Sequence, residues 1–163
     1  MNLFLVRHTE AIDYETESVR NDEYRFITPK GRKIACGVFK SLKEEFSEID
    51  KIFTSPYIRA VQTAEILASA TKYKNDIEVA NELLPSGSAG MLQQLLKRNS
   101  IFNSVVLVGH EPMMSMLVEV FTNKKRFELS FKKAGVCFIK YDLETGQGIL
   151  EWFFNPSLMA KKK

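Results

Sequence analysis

Apolar positions fall into two rhythms along this chain. Leu3–Val6 and Val105–Val108 are continuous apolar runs, and Lys51–Thr54 is a shorter strand-like stretch. Unbroken runs of this length are the mark of parallel strands covered on both faces, where no side of the strand meets water. Between them the spacing changes to that of a helix. Pro29–Phe46 places Ile34, Ala35, Val38, Phe39, Leu42 and Phe46 on one face, with Thr28 as N-cap and Pro29 as first helical residue. Ser55-Pro56 repeats that start signal, and Ile58, Val61, Ala64 and Leu67 continue it. A third helix is predicted over Ala89–Arg98, carrying Met91, Leu92, Leu95 and Leu96. Pro112 opens a fourth, with Met113, Met116, Leu117, Val120 and Phe121 facing inward and the methionines serving as core filler. Two further strands, near Gly135–Tyr141 and Ile149–Phe154, flank the turn-forming Glu144-Thr145-Gly146-Gln147-Gly148.

Strands alternating with helices predict an α/β fold of three layers, with helices on both faces of a mostly parallel sheet. One stretch is out of pattern. Thr9–Thr28 is a 20-residue polar connection with six acids, Glu10, Asp13, Glu15, Glu17, Asp22 and Glu23. Connections of that length inside a small domain are usually functional lids or disordered segments.

With 163 residues the chain is expected to be a single domain, residues 1–163, able to bury a core without disulfides or a structural metal. The net charge of +3 is mild, and the Lys161-Lys162-Lys163 run reads as a solvated chain end. Basic residues are not clustered with aromatic platforms, which argues against nucleic acid as a partner. Cys36 and Cys137 lack zinc-ligand spacing and read as small buried residues, so no metal is expected. The opening apolar run is too short for a secretory segment, and no stretch reaches the length of a membrane helix. These features point to the cytoplasm, away from any membrane.

Chemistry enters at the ends of the predicted strands. Arg7-His8 follows the first, Ser55-Pro56-Tyr57-Ile58-Arg59 the second, and Gly109-His110-Glu111-Pro112 the run at 105–108. Open α/β sheets bind ligands beyond the carboxyl ends of their strands. Two arginines and both histidines of the chain are thus expected at one mouth. Such a set suits a phosphoryl group, or a phosphate or sulfate anion, because guanidinium forks match the oxygens bidentately. Two histidines offer a division of labour. One serves as a neutral nucleophile, while the other is kept cationic by the dianion and donates to its oxygens.

At these residues the sequence resembles the histidine phosphatase superfamily, whose members carry an RHG-type motif after the first strand. LVRHTEA, RFITPKGR, IFTSPYIRAVQTAEIL, NELLPSG and VVLVGHEP match in order, with SPYIRAVQTA the most specific piece. Within that superfamily the chain is most similar to the small SixA-like phosphohistidine phosphatases. The resemblance implies a phosphoglycerate mutase-like fold, His8 as the transiently phosphorylated nucleophile, and Arg7, Arg59 and His110 as the rest of the phosphate pocket. It implies no cofactor and no metal. Arg25 matches a family arginine near the site; read alone, it is equally a lid-surface charge. Glu82 matches the position where relatives that cleave phosphate esters keep a proton donor; read alone, it is equally a solvent-facing loop carboxylate. Thr9 stands where the motif has glycine, and if that position needs a positive φ, threonine would be strained there.

Relatives acting on small metabolites carry helical insertions that close over the substrate. Only about 30 residues separate the second motif's helix from the third helix-to-strand step here, too few for such a subdomain. An open site favours a phosphorylated side chain on a protein. The expected activity is therefore hydrolysis of phosphohistidine on a phosphotransfer or signalling protein. A broad small-molecule phosphomonoesterase and a non-enzymatic phosphate-binding domain are the alternatives from other classes.

Overall fold

Arg7 and Gly109 lie side by side in neighbouring parallel strands, and that register places the site. The computed structural model describes residues 1–13, 19–124 and 130–157; Glu15, Glu17 and the terminal lysine run fall outside them. The elements follow in the order β1 (Asn2–Arg7), α1 (Pro29–Ser41), β2 (Lys51–Thr54), α2 (Ile58–Thr71), β3 (Ile77–Val79), α3 (Ala89–Arg98), β4 (Ser104–Gly109), α4 (Met113–Thr122), β5 (Val136–Asp142) and β6 (Gln147–Phe154). Short 3-10 turns occupy Asp22–Tyr24 and Asn81–Leu83. Among the described residues the strands form one sheet in the order β3-β2-β4-β1-β5-β6. β1 through β4 pair in parallel, while β5 runs antiparallel to β1 and β6 antiparallel to β5.

Alternate residues of each strand feed two separate cores, because successive side chains point to opposite faces. Leu3, Leu5, Phe53, Val105 and Leu107 pack with α3 and α4 through Leu92, Leu96, Met114, Leu117 and Phe121. Phe4, Val6, Ile52, Val106 and Val108 pack with α1 and α2 through Ala35, Val38, Phe39, Ala60, Ala64 and Leu67. The result is the three-layer α/β/α arrangement predicted from the pattern. The chain leaves β1 toward the α1 face and leaves β4 toward the α4 face. These neighbouring strands thus diverge at their carboxyl ends and leave a crevice between them.

Several boundaries differ from the sequence expectation. α1 stops at Ser41, and Leu42–Glu48 continue as turns. Phe46 is nonetheless buried, and Leu42 packs against the same core, so the helical spacing persists past the helix. β3 is a three-residue edge strand that the pattern did not predict. In α4 the buried face is Met113, Met114, Leu117, Val118 and Phe121, whereas Val120 is 39% exposed and Met116 only partly buried. Seven of the ten positions of that helix are apolar, so spacing alone does not choose the face.

The helix caps divide in the same way. Thr28 accepts a hydrogen bond from Gly31 N, as an N-cap should. Ser55 does not cap α2; Tyr57 holds that position without a side-chain bond, and Ser55 is used elsewhere. No helix among the described residues is long and apolar enough to cross a membrane.

Candidate active site

The crevice collects the ends of β1, β2 and β4. Because Arg7 pairs with Gly109, the next residues, His8 and His110, emerge as neighbours, and their ring centroids are 5.1 Å apart. Both are almost fully buried, at 7% and 2% exposure. The one-residue offset of the β2 register (Thr54 beside Val108) sets Ser55 below His110. Ser55 Oγ lies 2.8 Å from His110 Nε2. The serine that the sequence presents as a helix cap is therefore a support for the second histidine.

His8 is aimed by the backbone. Its Nδ1 donates to the Thr9 carbonyl at 2.7 Å, which fixes the tautomer and leaves Nε2 with the free lone pair. Arg59 Nε donates to that Nε2 at 3.3 Å. Arg59 is 4% exposed; its Nη1 donates to the Asp22 carbonyl at 2.6 Å and its Nη2 to Asp22 Oδ2 at 2.9 Å. Its guanidinium also lies 5.0 Å from the Tyr57 ring, which in turn packs edge-on against His110. Arg7 Nη1 donates to the Phe131 carbonyl at 2.6 Å. Arg7 Nε and His110 Nδ1 are buried with no hydrogen-bond partner among the described residues. Buried polar groups ordinarily find partners, and a bound oxyanion would supply one to Arg7 Nε and to His110 Nδ1 where that nitrogen carries the proton.

The remaining motif residues act as fasteners. Thr63 accepts from Thr9 N at 3.1 Å and donates to the Arg59 carbonyl at 2.6 Å, tying α2 to the loop after β1. Gln62 Oε1 accepts from Ile27 N at 2.9 Å. Thr9 is not strained: it is absent from the positive-φ positions, which among the described non-glycine residues are Lys72, Asn123 and Ala134. Its hydroxyl donates to the Gly31 carbonyl at 2.8 Å, and Gly31 in turn approaches Glu10 so closely that a Cβ there would collide with the Glu10 carbonyl. Threonine thus adds an anchor where the family motif has glycine.

Arg25 reaches the site through Asp22. Its Nη1 donates to Asp22 Oδ1 at 3.0 Å and its Nε to the Ile12 carbonyl at 2.6 Å. Glu82 sits on the 3-10 turn whose next residue, Leu83, packs beneath Gly109. Its Oε1 accepts from Arg98 Nη2 at 2.6 Å. Asp22 is a site residue that the sequence reading named only as one of six loop acids. Among the described residues no group of three His, Cys, Asp or Glu side chains is placed to hold a metal ion.

Both imidazoles are held neutral in this geometry. Burial lowers His8 well below the ordinary histidine value, and His110, Arg59 and Arg7 add to this against the opposing Thr9 carbonyl. Burial likewise lowers His110 to about 4, helped by Arg59 and Arg7 and opposed by Asp22. An unfolded histidine takes up its proton near pH 6.5, but the folded His110 does so only near 4. Between those values the unfolded chain binds more protons, so stability falls as pH drops from 6.5 to 4. The expected loss from His110 alone is about 3 kcal/mol over that interval. Urea midpoints measured at pH 7 and 4.5 check this, with His110→Asn expected to flatten the slope; an unchanged slope in the variant would refute it.

Comparison with known proteins follows the same lines. The family model of the histidine phosphatase superfamily (branch 1) matches residues 3–84. Phosphohistidine phosphatase SixA of Escherichia coli (strain K12) is 28% identical, with 100% of this chain and 99% of that protein covered. An uncharacterized protein of Picosynechococcus sp. is 34% identical over 83% of this chain and 82% of its own length. Among solved structures, the protein histidine phosphatase SixA complexed with tungstate superposes with a TM-score of 0.87 at 26% identity, covering 98% of this chain and 99% of that one. A phosphoserine phosphatase of Entamoeba histolytica, at 18% identity and a TM-score of 0.66, covers 94% of this chain and 96% of its own and shares the fold.

Proposed function

We propose, from the premise that the chain belongs to the histidine phosphatase superfamily, that it hydrolyses phosphohistidine carried on another protein through a phosphoenzyme at His8. The observation that carries this reading is the His8 imidazole. Its Nδ1 is committed to the Thr9 carbonyl, and its Nε2 faces the guanidinium of Arg59 beside His110.

His8 Nε2 attacks phosphorus in line while the bond from phosphorus to the substrate's imidazole nitrogen breaks. Arg7, Arg59 and His110 hold the equatorial oxygens, so catalysis is mainly positioning and electrostatics. The approaching dianion favours the protonated form of His110, reversing the effect of burial. The departing imidazole nitrogen takes up a proton whose delivery we assign to Glu82: its carboxylate leaves Arg98, takes a proton from solvent and passes it on, and the attacking water of the second step returns one to it. Water then attacks the phosphohistidine, breaking its P–N bond, and returns neutral His8 with inorganic phosphate. Arg25 is assigned to the outer side of the phosphate site, where it donates to Asp22 Oδ1.

A phosphorylated phosphotransfer domain is the partner class this reading names, acting in the cytoplasm. The relative bearing the phosphohistidine phosphatase name covers this chain end to end. A side-by-side assay decides the substrate. We expect kcat/KM on a phosphohistidine phosphotransfer domain to exceed that on an aryl phosphate or any of a panel of sugar and nucleotide phosphates by about 100-fold. The reverse order would establish a general phosphomonoesterase. Binding without turnover on every substrate would establish a recognition domain.

A further inference from the structure

Arg59 has no fork left to offer. Its Nη1 and Nη2 both serve Asp22, through the carbonyl and the carboxylate, and its Nε serves the lone pair of His8. Asp22 Oδ1 meanwhile accepts from Arg25, so the carboxylate bridges two guanidiniums at the mouth of the crevice. A carboxylate and a phosphoryl group present similar paired oxygens to a guanidinium. A phosphoryl group attacked by His8 must lie against Nε2, where Arg59 now donates.

We propose that Asp22 is a specificity-determining residue: its carboxylate occupies the phosphate side of Arg59, so that an incoming oxyanion must displace it. The inference rests on the reading of this crevice as an oxyanion site. Its consequence is discrimination by substrate class. A small free dianion must evict Asp22 using only its own contacts with the pocket. A phosphoryl group on a docked protein has the remaining interface to help. Exposed apolar side chains stand on the same turn and on the neighbouring helix start: Tyr24 is 54% exposed, Phe26 42% and Ile58 36%. The Asp22–Tyr24 turn is short and capped without a side-chain bond, so it can yield to a partner pressing there.

The alternative role for Asp22 is positioning, in which it holds Arg59 correctly for phosphate. The two roles predict opposite signs. Calorimetric titration with tungstate is measured on wild type, Asp22→Asn, Asp22→Ala and, as a control for charge, Glu23→Gln on the same turn. Displacement predicts tungstate binding about tenfold tighter in both Asp22 variants, the size of one charge-assisted contact no longer competing. It also predicts a KM for an aryl phosphate lowered by a similar factor, a smaller change for a phosphohistidine protein, and Glu23→Gln within about twofold of wild type. Equal or weaker tungstate binding in both Asp22 variants, or an equal gain in Glu23→Gln, would overturn the inference while leaving the oxyanion site intact. Absence of saturable binding to wild type and to every variant would remove the oxyanion reading itself, and the inference with it.

Discussion

Replacing His8 with alanine is expected to reduce turnover about 10⁴-fold or more, the scale found when a covalent nucleophile is removed and the rest of the pocket is left standing. The expectation comes from the two ring nitrogens. Nδ1 is spent on the Thr9 carbonyl at 2.7 Å, and the ring is buried so deeply that the neutral form dominates at pH 7. Nε2 therefore carries its lone pair at pH 7, beside Arg59 and His110. Alanine removes that nucleophile and the bond to the Thr9 carbonyl, while Thr9's own bonds to Thr63 and Gly31 keep the loop in place. Tungstate affinity should fall by much less than turnover, because Arg7, Arg59 and His110 remain. Brief incubation with a labelled phosphohistidine protein should leave acid-labile label on the wild-type enzyme and none on His8→Ala. Label retained by the variant would move the nucleophile elsewhere.

Much of this site is legible in the sequence because strands buried on both faces must be apolar throughout. Each of β1, β2 and β4 therefore ends visibly where polar residues begin, and Arg7-His8, Ser55 and Gly109-His110 stand at those ends. Parallel pairing then brings the ends together without further information. What escaped the pattern escaped for physical reasons. β3 is three residues long with Glu78 and Val79 exposed, so it has no apolar run to read. α1 ends at Ser41, five residues before Phe46, yet the following turns keep burying its face, and periodicity cannot distinguish the two.

Ser55 illustrates a different difficulty. Ser-Pro ahead of an apolar period is a sound capping signal, but here the hydroxyl meets His110 at 2.8 Å and accepts only a long 3.4 Å bond from Tyr57 N, short of the N2 and N3 groups of α2 that a cap would serve. Asp22 is harder still. It lies in a connection with neither helical nor strand period, among other acids, and its meaning depends on being within reach of Arg59, 37 residues away along the chain. Charge content marks that segment as unusual without marking which carboxylate matters.

Arg59→Ala is expected to be the second most damaging change, lowering kcat/KM by about 10²–10⁴, since two charge-assisted hydrogen bonds to phosphoryl oxygens carry about 3–6 kcal/mol between them. Arg59→Lys should recover only part of this, because an ammonium is a point charge that cannot fork across two oxygens. Folding should survive. The guanidinium is buried beside Asp22, but that carboxylate keeps its bond to Arg25, and Thr63 binds the backbone carbonyl of residue 59, which no substitution removes. A thermal melt of the variant beside tungstate titration and kcat/KM on both substrate classes separates loss of function from loss of fold. The double variant with Asp22→Asn gives the sharper reading. If Asp22 competes with phosphate for Arg59, its removal has nothing to relieve once Arg59 is gone, and the tenfold gain in anion binding should vanish in the Arg59→Ala background. A gain that persists there would mean that Asp22 repels anions through space. Wild-type anion affinity in Arg59→Ala alone would mean that the guanidinium serves to anchor the Asp22–Tyr24 turn and leaves phosphate to Arg7 and His110.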